Sequence, residues 1–356
     1  MRVAIAGAGI VGAAIAYELS SVPGLELHLF EAQAQPARGA TGAALGVMLG
    51  ILSRKIKGRA WQLRQQAVNR YDTLIAELEA QTQQAIPYNR QGIVALRFTG
   101  AGHLDRWQTL QATRRTQGYD LEIWDLDQLK VHCPQITDAR VCGAVYSPGD
   151  RQVDPIALTQ ALLQAAQAKG VTLHYNHPLI RDQQRRCITD RQGHSLIADA
   201  LILTTGLGLP PLAPAIDVRP VLGQALQLKL PHPLGIETFQ PVLTGHDVLL
   251  IPLGEGRYWL GATVEFPDET GAVVAQVQAR HDLWQEAIQI CPAFASATLE
   301  REWSGLRPRP WGQPAPVIAE IEGDRPTLVA AGHYRNGVLL APSTAQAVKQ
   351  WLLNQV

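Results

Sequence analysis

Gly7-Ala-Gly-Ile-Val-Gly12 spells GxGxxG, and Glu31 stands 19 residues beyond its last glycine. These residue types at this spacing suit one task, the binding of a dinucleotide pyrophosphate. Gly7 permits a tight turn, Gly9 lets the pyrophosphate approach the backbone, and Gly12, after Ile10 and Val11, lets the following helix pack closely on its strand. The helix N-terminus then faces the phosphates, and Glu31 is placed to accept hydrogen bonds from the adenosine ribose hydroxyls. The hexamer does not decide between NAD and FAD. Residues 38–46, Arg38-Gly-Ala-Thr-Gly-Ala-Ala-Leu-Gly46, follow with little bulk and several hydroxyl and backbone donors. Such a run suits contact with a second phosphate, a ribityl chain and a flavin ring, although a plain surface loop has the same composition. Near the other end, Gly332-His-Tyr-Arg-Asn-Gly-Val-Leu-Leu-Ala-Pro342 joins a strand to a helix. A helix starting there turns its positive end and free N–H groups toward its neighbour, which favours an electron-rich reduced flavin ring.

The elements that must position these residues are legible in the apolar pattern. Residues 3–6 read as a buried strand, 10–21 as a helix and 25–30 as a second strand, the opening βαβ of a doubly wound sheet. Trp61, Leu63, Ala67, Tyr71, Leu74, Ile75 and Leu78 recur at helical spacing, so 59–84 is expected to be a long amphipathic helix lying on that sheet. Residues 92–98 read as a strand of different character, followed by a polar helix with Leu104, Trp107 and Leu110 and then loops. Asp154-Pro155 opens another helix as N-cap and first-turn proline, Gly170 ends it, and strands at 171–175 and 200–204 resume the alternation. The proline-rich stretch 210–214 marks a crossing between domains. Strands at 225–230, 248–251 and 258–262, the last two joined by Gly254-Glu-Gly256, then form an antiparallel sheet. A helix at 273–290, a strand at 327–331 and a last helix at 343–353, with Ser343 and Gln346 at capping-box spacing, complete the chain.

At 356 residues the chain is long enough for about two domains. With 46% hydrophobic and 17% charged residues it is a globular composition, not a disordered one. Lys plus Arg and Asp plus Glu both total 31, so no global attraction to nucleic acid or an anionic membrane is expected. Cys133, Cys142, Cys187 and Cys291 lack any CxxC spacing and read as free thiols of a reducing, cytoplasmic compartment. No apolar run is long enough for a transmembrane helix, and none of the residue groupings suggests a metal site.

Five segments, in order, carry a resemblance to a known family: residues 6–12 with Glu31, residues 39–46, Gly149-Asp-Arg-Gln-Val-Asp-Pro155, Trp303-Ser-Gly-Leu-Arg-Pro308, and residues 332–337 with Leu339-Leu-Ala-Pro342. Thr204-Thr-Gly206, Arg219-Pro-Val-Leu-Gly-Gln224 and Leu260-Gly-Ala-Thr263 add weaker likenesses. The chain resembles the D-amino-acid oxidase family of FAD-dependent amine oxidoreductases, in particular its glycine oxidase and thiamine-pathway branch.

The resemblance implies an α/β fold with a Rossmann-type FAD-binding domain and an interleaved antiparallel-sheet α+β substrate domain. The expected division is 1–85, 138–212 and 300–356 for the FAD domain and 86–137 and 213–299 for the substrate domain. FAD contacts are expected from Gly7, Gly9, Ile10, Val11, Gly12, Glu31 and Arg38. Ala40, Thr41, Gly42, Ala43, Gly46 and Val47 continue the set, with Leu179, Thr205 and Gly206 from the middle of the chain. Gly332, Tyr334, Asn336, Gly337, Val338 and Leu339 close it. By the same resemblance Arg335 clamps the substrate carboxylate with its planar fork and Arg307 is a second active-site arginine. His333 and Tyr334 are expected to pack the flavin edge. The family's usual tyrosine corresponds to Leu249 and an arginine to Leu253, so the pocket should be more apolar than in glycine oxidases; Tyr258 or Tyr88 are candidates to replace the hydroxyl. The expected activity is oxidation of a small amino acid (glycine, sarcosine or a D-amino acid) by hydride transfer to FAD with reoxidation by O2. A flavin dehydrogenase of an amino or 2-hydroxy acid and a non-catalytic flavoprotein are the competing readings. A homo-oligomer is usual in the family.

Overall fold

The computed structural model describes residues 1–100, 104–182 and 187–355. Two sheets organise it. The first runs Val317–Ile321, Thr327–Ala331, Ala200–Leu203, Arg2–Ala6, Glu26–Phe30, Thr172–His174, parallel except for its antiparallel first edge. Its central strands, Arg2–Ala6, Ala200–Leu203 and Thr327–Ala331, are buried on both faces and read as nearly continuous apolar runs. Val3, Ile5, Leu27, Leu29, Ile202 and Ala330 face a layer of helices comprising Ile10–Leu19, Pro155–Ala168 and Gly337–Leu353. Ala4, Ala6, Leu201, Leu203 and Val329 alternate onto the opposite face, under Leu209, Leu212 and Ile216.

The long helix is present as Gly58–Thr82, but it packs chiefly on the helices Pro155–Ala168 and Gly337–Leu353 instead of directly on the sheet. Asp154 caps Pro155–Ala168 as its sequence requires, its carboxylate accepting the N–H groups of Ile156 and Ala157 at 2.8 Å each.

The second sheet runs Thr298–Pro310, Val218–Lys229, Arg257–Gly261, Val248–Gly254, Val242–Gly245, Ile93–Phe98, Val141–Ser147, Glu122–Trp124. It is antiparallel apart from the pair Val242–Gly245 and Ile93–Phe98. One face is covered by Val277–Ile290 and Leu126–His132, and the other faces Leu45, Ile51, Leu52 and Leu110. The expected boundary at 138 precedes the strand Val141–Ser147, and that at 300 falls inside Thr298–Pro310. Both strands pair in the second sheet.

Three local expectations are corrected. The stretch read as loops after the polar helix contains Glu122–Trp124 and the helix Leu126–His132, opened by a capping box between Asp125 and Gln128. The strand expected at 225–230 extends back to Val218, through Pro220, because its partner Thr298–Pro310 is long enough to pair along all of it. The last helix starts at Gly337, not Ser343. Ser343 lies buried within it and donates to Leu340 O at 3.1 Å instead of capping. Pro342 is tolerated inside because the carbonyl it deprives of an N–H partner, that of Val338, accepts the Tyr71 hydroxyl at 2.6 Å.

Between the layers, residues 50–56 are held from two sides. The buried Asp150 carboxylate accepts the N–H groups of Gly50, Ile51 and Leu52 at 2.7 to 2.9 Å. Arg114, with no exposed surface, donates to the carbonyls of Ile51, Ser53 and Lys55 and lies over the Trp61 ring.

Candidate active site

A cleft of about 1370 Å³ separates the two sheets, above the roughly 300–1,000 Å³ of a pocket for one drug-sized ligand. It opens at the C-terminal ends of the parallel strands, where doubly wound sheets bind their ligands. At its floor the Gly7 N–H donates to Phe30 O at 2.7 Å with φ at 103°, a conformation that favours glycine. A β-carbon on Gly12 would lie 1.9 Å from Gly7 O, so the helix sits as close to its strand as the sequence implied. Glu31 accepts from Ala8 N at 2.8 Å and Gln33 N at 2.9 Å. It thus braces the glycine loop while its carboxylate borders the cleft.

The small-residue run lies across the helix start, where Thr41 Oγ1 accepts the Ile10 N–H at 3.1 Å. Gly9, Ile10, Val11, Arg38, Ala40, Thr41, Gly42, Ala43, Gly46 and Val47 all line the cleft; Arg38 also bonds Gln35. Leu179, Thr205 and Gly206 line it from the middle of the chain, and Gly332, Tyr334, Gly337 and Val338 from its end. Gly12, Asn336 and Leu339 do not. Gly12 and the buried Leu339 lie behind the surface and act through packing.

These residues fit FAD on grounds internal to the structure. Thr205 Oγ1 borders the cleft, is buried, and has no hydrogen-bond partner among the described residues, as expected of an atom that meets a ligand. The last helix begins in the cleft wall at Gly337, which places its positive end there.

The opposite wall belongs to the antiparallel sheet and carries Arg307, whereas Arg335 lies in the short turn Tyr334–Asn336 ahead of the last helix. Arg307 Nη1 donates to Leu222 O and Thr263 O, each at 3.0 Å. Among the described residues its Nε and Nη2 take no hydrogen bond, and no carboxylate lies within 4 Å. Burial, and next the Arg335 charge, pull the Arg307 guanidinium below its ordinary range; it remains a cation. Gly223 makes room for it, since a β-carbon there would meet Nη2 at 2.2 Å. Arg335 also lines the cleft but is half exposed, with Asp247 at 3.9 Å. Leu249 forms an apolar part of the wall. Neither candidate for a replacement hydroxyl reaches the cleft: Tyr258 accepts Leu234 N at 2.7 Å within the second core, and Tyr88 is turned inward.

His333 borders the cleft, yet its Nε2 is tied to Thr344 Oγ1 at 2.9 Å and burial lowers its pKa to about 4. It is a neutral structural group at working pH. Sequence reasoning missed Gln224, Thr263 and Glu265, which surround the Arg307 anchor; only the weak likenesses at 219–224 and 260–263 touched on them. Trp303, which donates to Ala43 O at 3.1 Å across the cleft, lay inside a quoted motif but received no role.

A parallel sheet with a glycine-rich first turn, faced across a cleft by an antiparallel sheet carrying an anchored arginine, defines a dinucleotide-dependent oxidoreductase of the two-domain flavoprotein class. The chain belongs to the DAO family of FAD dependent oxidoreductases, whose family model matches residues 2–351. It is 31% identical over 366 residues to the bifunctional protein ThiO/ThiG of Synechocystis sp., covering 99% of this chain and 52% of that protein. The chain thus spans about half the length of that relative. It is 29% identical to the glycine oxidase of Geobacillus kaustophilus, over 97% of this chain and 91% of that one. The crystal structure of the G. kaustophilus enzyme superposes with a TM-score of 0.84 at 25% identity, covering 99% and 95% of the two chains. Iminodiacetate oxidase from Chelativorans sp. shares the fold, with a TM-score of 0.83 at 24% identity over 99% of this chain and most of that one. FAD is therefore the cofactor, and the chain is an oxidoreductase of this family that is similar to glycine oxidases. No helix among the described residues is long and apolar enough to cross a membrane.

Proposed function

We propose that the chain oxidises the amine of a small amino acid or N-substituted amino acid, using O2 as the final electron acceptor. Net, the amine loses two electrons and two protons to become an imine, O2 takes them up as hydrogen peroxide, and water hydrolyses the imine to an oxo acid with release of ammonia, or of the free primary amine where the nitrogen is substituted. The observation that carries the reading is Arg307, fixed by two backbone carbonyls on the cleft wall with its remaining N–H groups open. A cation anchored this way is pre-organised for a carboxylate and loses little freedom on binding it. Arg335, more exposed, closes on the same carboxylate as the second cation. The residues from Gly7 to Gly46 and from Gly332 to Val338 that line the cleft hold FAD, with Thr205 Oγ1 as one of its donors. The bound flavin supplies the two-electron acceptor for the C–H bond. Leu249 favours an amine whose side chain or N-substituent is apolar over glycine itself. The free Cys133, Cys142 and Cys291 suit a reducing, cytoplasmic setting; the side chain of Cys187 lies outside the described residues.

The test is peroxide formation by the FAD-loaded protein over glycine, sarcosine, D-amino acids and 2-hydroxy acids, with an artificial electron acceptor in parallel. Peroxide from an amino acid, raised in KM about 100-fold by Arg307→Ala, is the expected result. Turnover only with the artificial acceptor would replace O2 by another oxidant, and turnover only with hydroxy acids would overturn the amine assignment.

A further inference from the structure

We infer that Glu265 is a positioning residue for Arg307, acting through the backbone that holds it. The inference rests on the reading of Arg307 as the carboxylate-binding group. Glu265 is buried, and three donors converge on its carboxylate. Oε1 accepts from Gln224 Nε2 at 2.9 Å and from the Thr263 hydroxyl, and Oε2 accepts the Gln276 N–H at 2.7 Å. The same Thr263 Oγ1 accepts the Gln224 N–H at 2.8 Å, and Gln224 Nε2 also reaches Gln276 O at 2.8 Å. The network thus joins Gln224, Thr263, Glu265 and Gln276.

Both carbonyls that fix Arg307 belong to residues that Glu265 holds. Leu222 exchanges two backbone hydrogen bonds with Glu265, at 2.9 and 3.0 Å. Thr263 is held through its hydroxyl. The acceptors Leu222 O and Thr263 O are thereby set at one spacing, and Arg307 Nη1 bridges them. Only an ionised carboxylate meets three donors without offering one of its own, so glutamine here would aim an N–H at a donor. The placement of the charge matters as well. Glu265 acts on Arg307 electrostatically without lying within 4 Å of it. A direct ion pair would occupy the prongs that a substrate needs; a negative charge held beyond 4 Å supports the buried cation and leaves Nε and Nη2 open. The chain after Glu265 returns to the same node at Gln276.

The experiment compares FAD-loaded Glu265→Gln and Arg307→Lys with the unmodified protein. Two quantities are read: steady-state KM and kcat with the most active amine of the panel above, and the affinity for propionate, followed by the change in flavin absorbance. For Glu265→Gln, KM and the propionate dissociation constant are expected to rise together about tenfold, with kcat within about threefold and FAD affinity within about twofold. A brace with only a structural role would lower the melting temperature and leave propionate affinity where it was, and that result overturns the inference. If Glu265→Gln does not yield folded holoenzyme, Thr263→Val, which removes the hydroxyl and with it the bonds to the Glu265 carboxylate and from the Gln224 N–H, should raise both constants several-fold; unchanged constants again overturn it. Should Arg307→Lys leave propionate binding intact, the reading of Arg307 itself fails. If Arg307→Lys weakens binding while Glu265→Gln does not, only the role of Glu265 is lost.

Discussion

The Tyr71 hydroxyl and Pro342 make a coupled pair that can be separated experimentally. Pro342 has no N–H, so the helix Gly337–Leu353 leaves the Val338 carbonyl without its intrahelical donor, and Tyr71, 267 residues away in sequence, donates to it at 2.6 Å. Tyr71 is fully buried, and burial pushes its pKa well up, so the group remains a neutral donor throughout the working range. Tyr71→Phe removes the donor while keeping the ring. A buried carbonyl left unsatisfied costs about 1–3 kcal/mol. Unfolding entropy scales at about 2.1 cal/mol/K per residue, which for a chain of this length lowers the melting temperature by roughly 1–4 °C. Pro342→Ala returns an N–H directed at the same carbonyl. The double variant should therefore recover most of what Tyr71→Phe loses, giving a coupling energy of about 1 kcal/mol or more in a cycle measured by urea denaturation at one saturating FAD concentration. Strict additivity of the two substitutions would refute the assignment of the Tyr71 hydroxyl as a substitute for the missing helical bond.

The remaining predictions concern other parts of the fold. His333 is held neutral, with a pKa near 4 against 6.5 when exposed. Its contribution to stability is full above about pH 6.5 and is lost as pH falls toward 4, because the unfolded chain binds a proton that the folded one refuses. His333→Gln, which keeps a partner for Thr344, should flatten the loss of urea midpoint between pH 7 and 5 by close to one proton, and an unchanged slope would contradict it. Arg114→Met should destabilise by about 3–5 kcal/mol, since it strands the carbonyls of Ile51, Ser53 and Lys55. Circular dichroism against urea measures that loss, and a change below about 1 kcal/mol would show that water replaces the guanidinium.

Where chemistry and fold are local, the sequence was readable. The glycine loop, the Asp154-Pro155 cap and the Gly254-Glu-Gly256 hairpin depend on neighbours within a few positions, and each formed as its residues dictate. What depended on distant partners was not readable. Ser343 and Gln346 look like a helix start, but a tyrosine from another helix lets the helix run through Pro342. The strands Val218–Lys229 and Thr298–Pro310 contain prolines and glycines that interrupt an apolar pattern, and only their pairing with each other restores them. The candidate site divides the same way. Its glycines and the 38–46 run announce themselves by composition, whereas the Glu265 node unites residues from three separate segments and leaves no local mark.

The order of the parallel sheet has a consequence for how the chain comes off the ribosome. The first strand, Arg2–Ala6, pairs early with Glu26–Phe30 on one side, but its other neighbour is Ala200–Leu203, which in turn borders Thr327–Ala331. At a synthesis rate of roughly 5–20 residues per second, the open edge of that first strand waits about 10–40 s for its partner. The glycine loop cannot be closed by the Thr204 hydroxyl, which donates to Ala6 O at 2.7 Å, before then. Until Ala200–Leu203 has been made, the growing chain thus exposes an apolar strand edge.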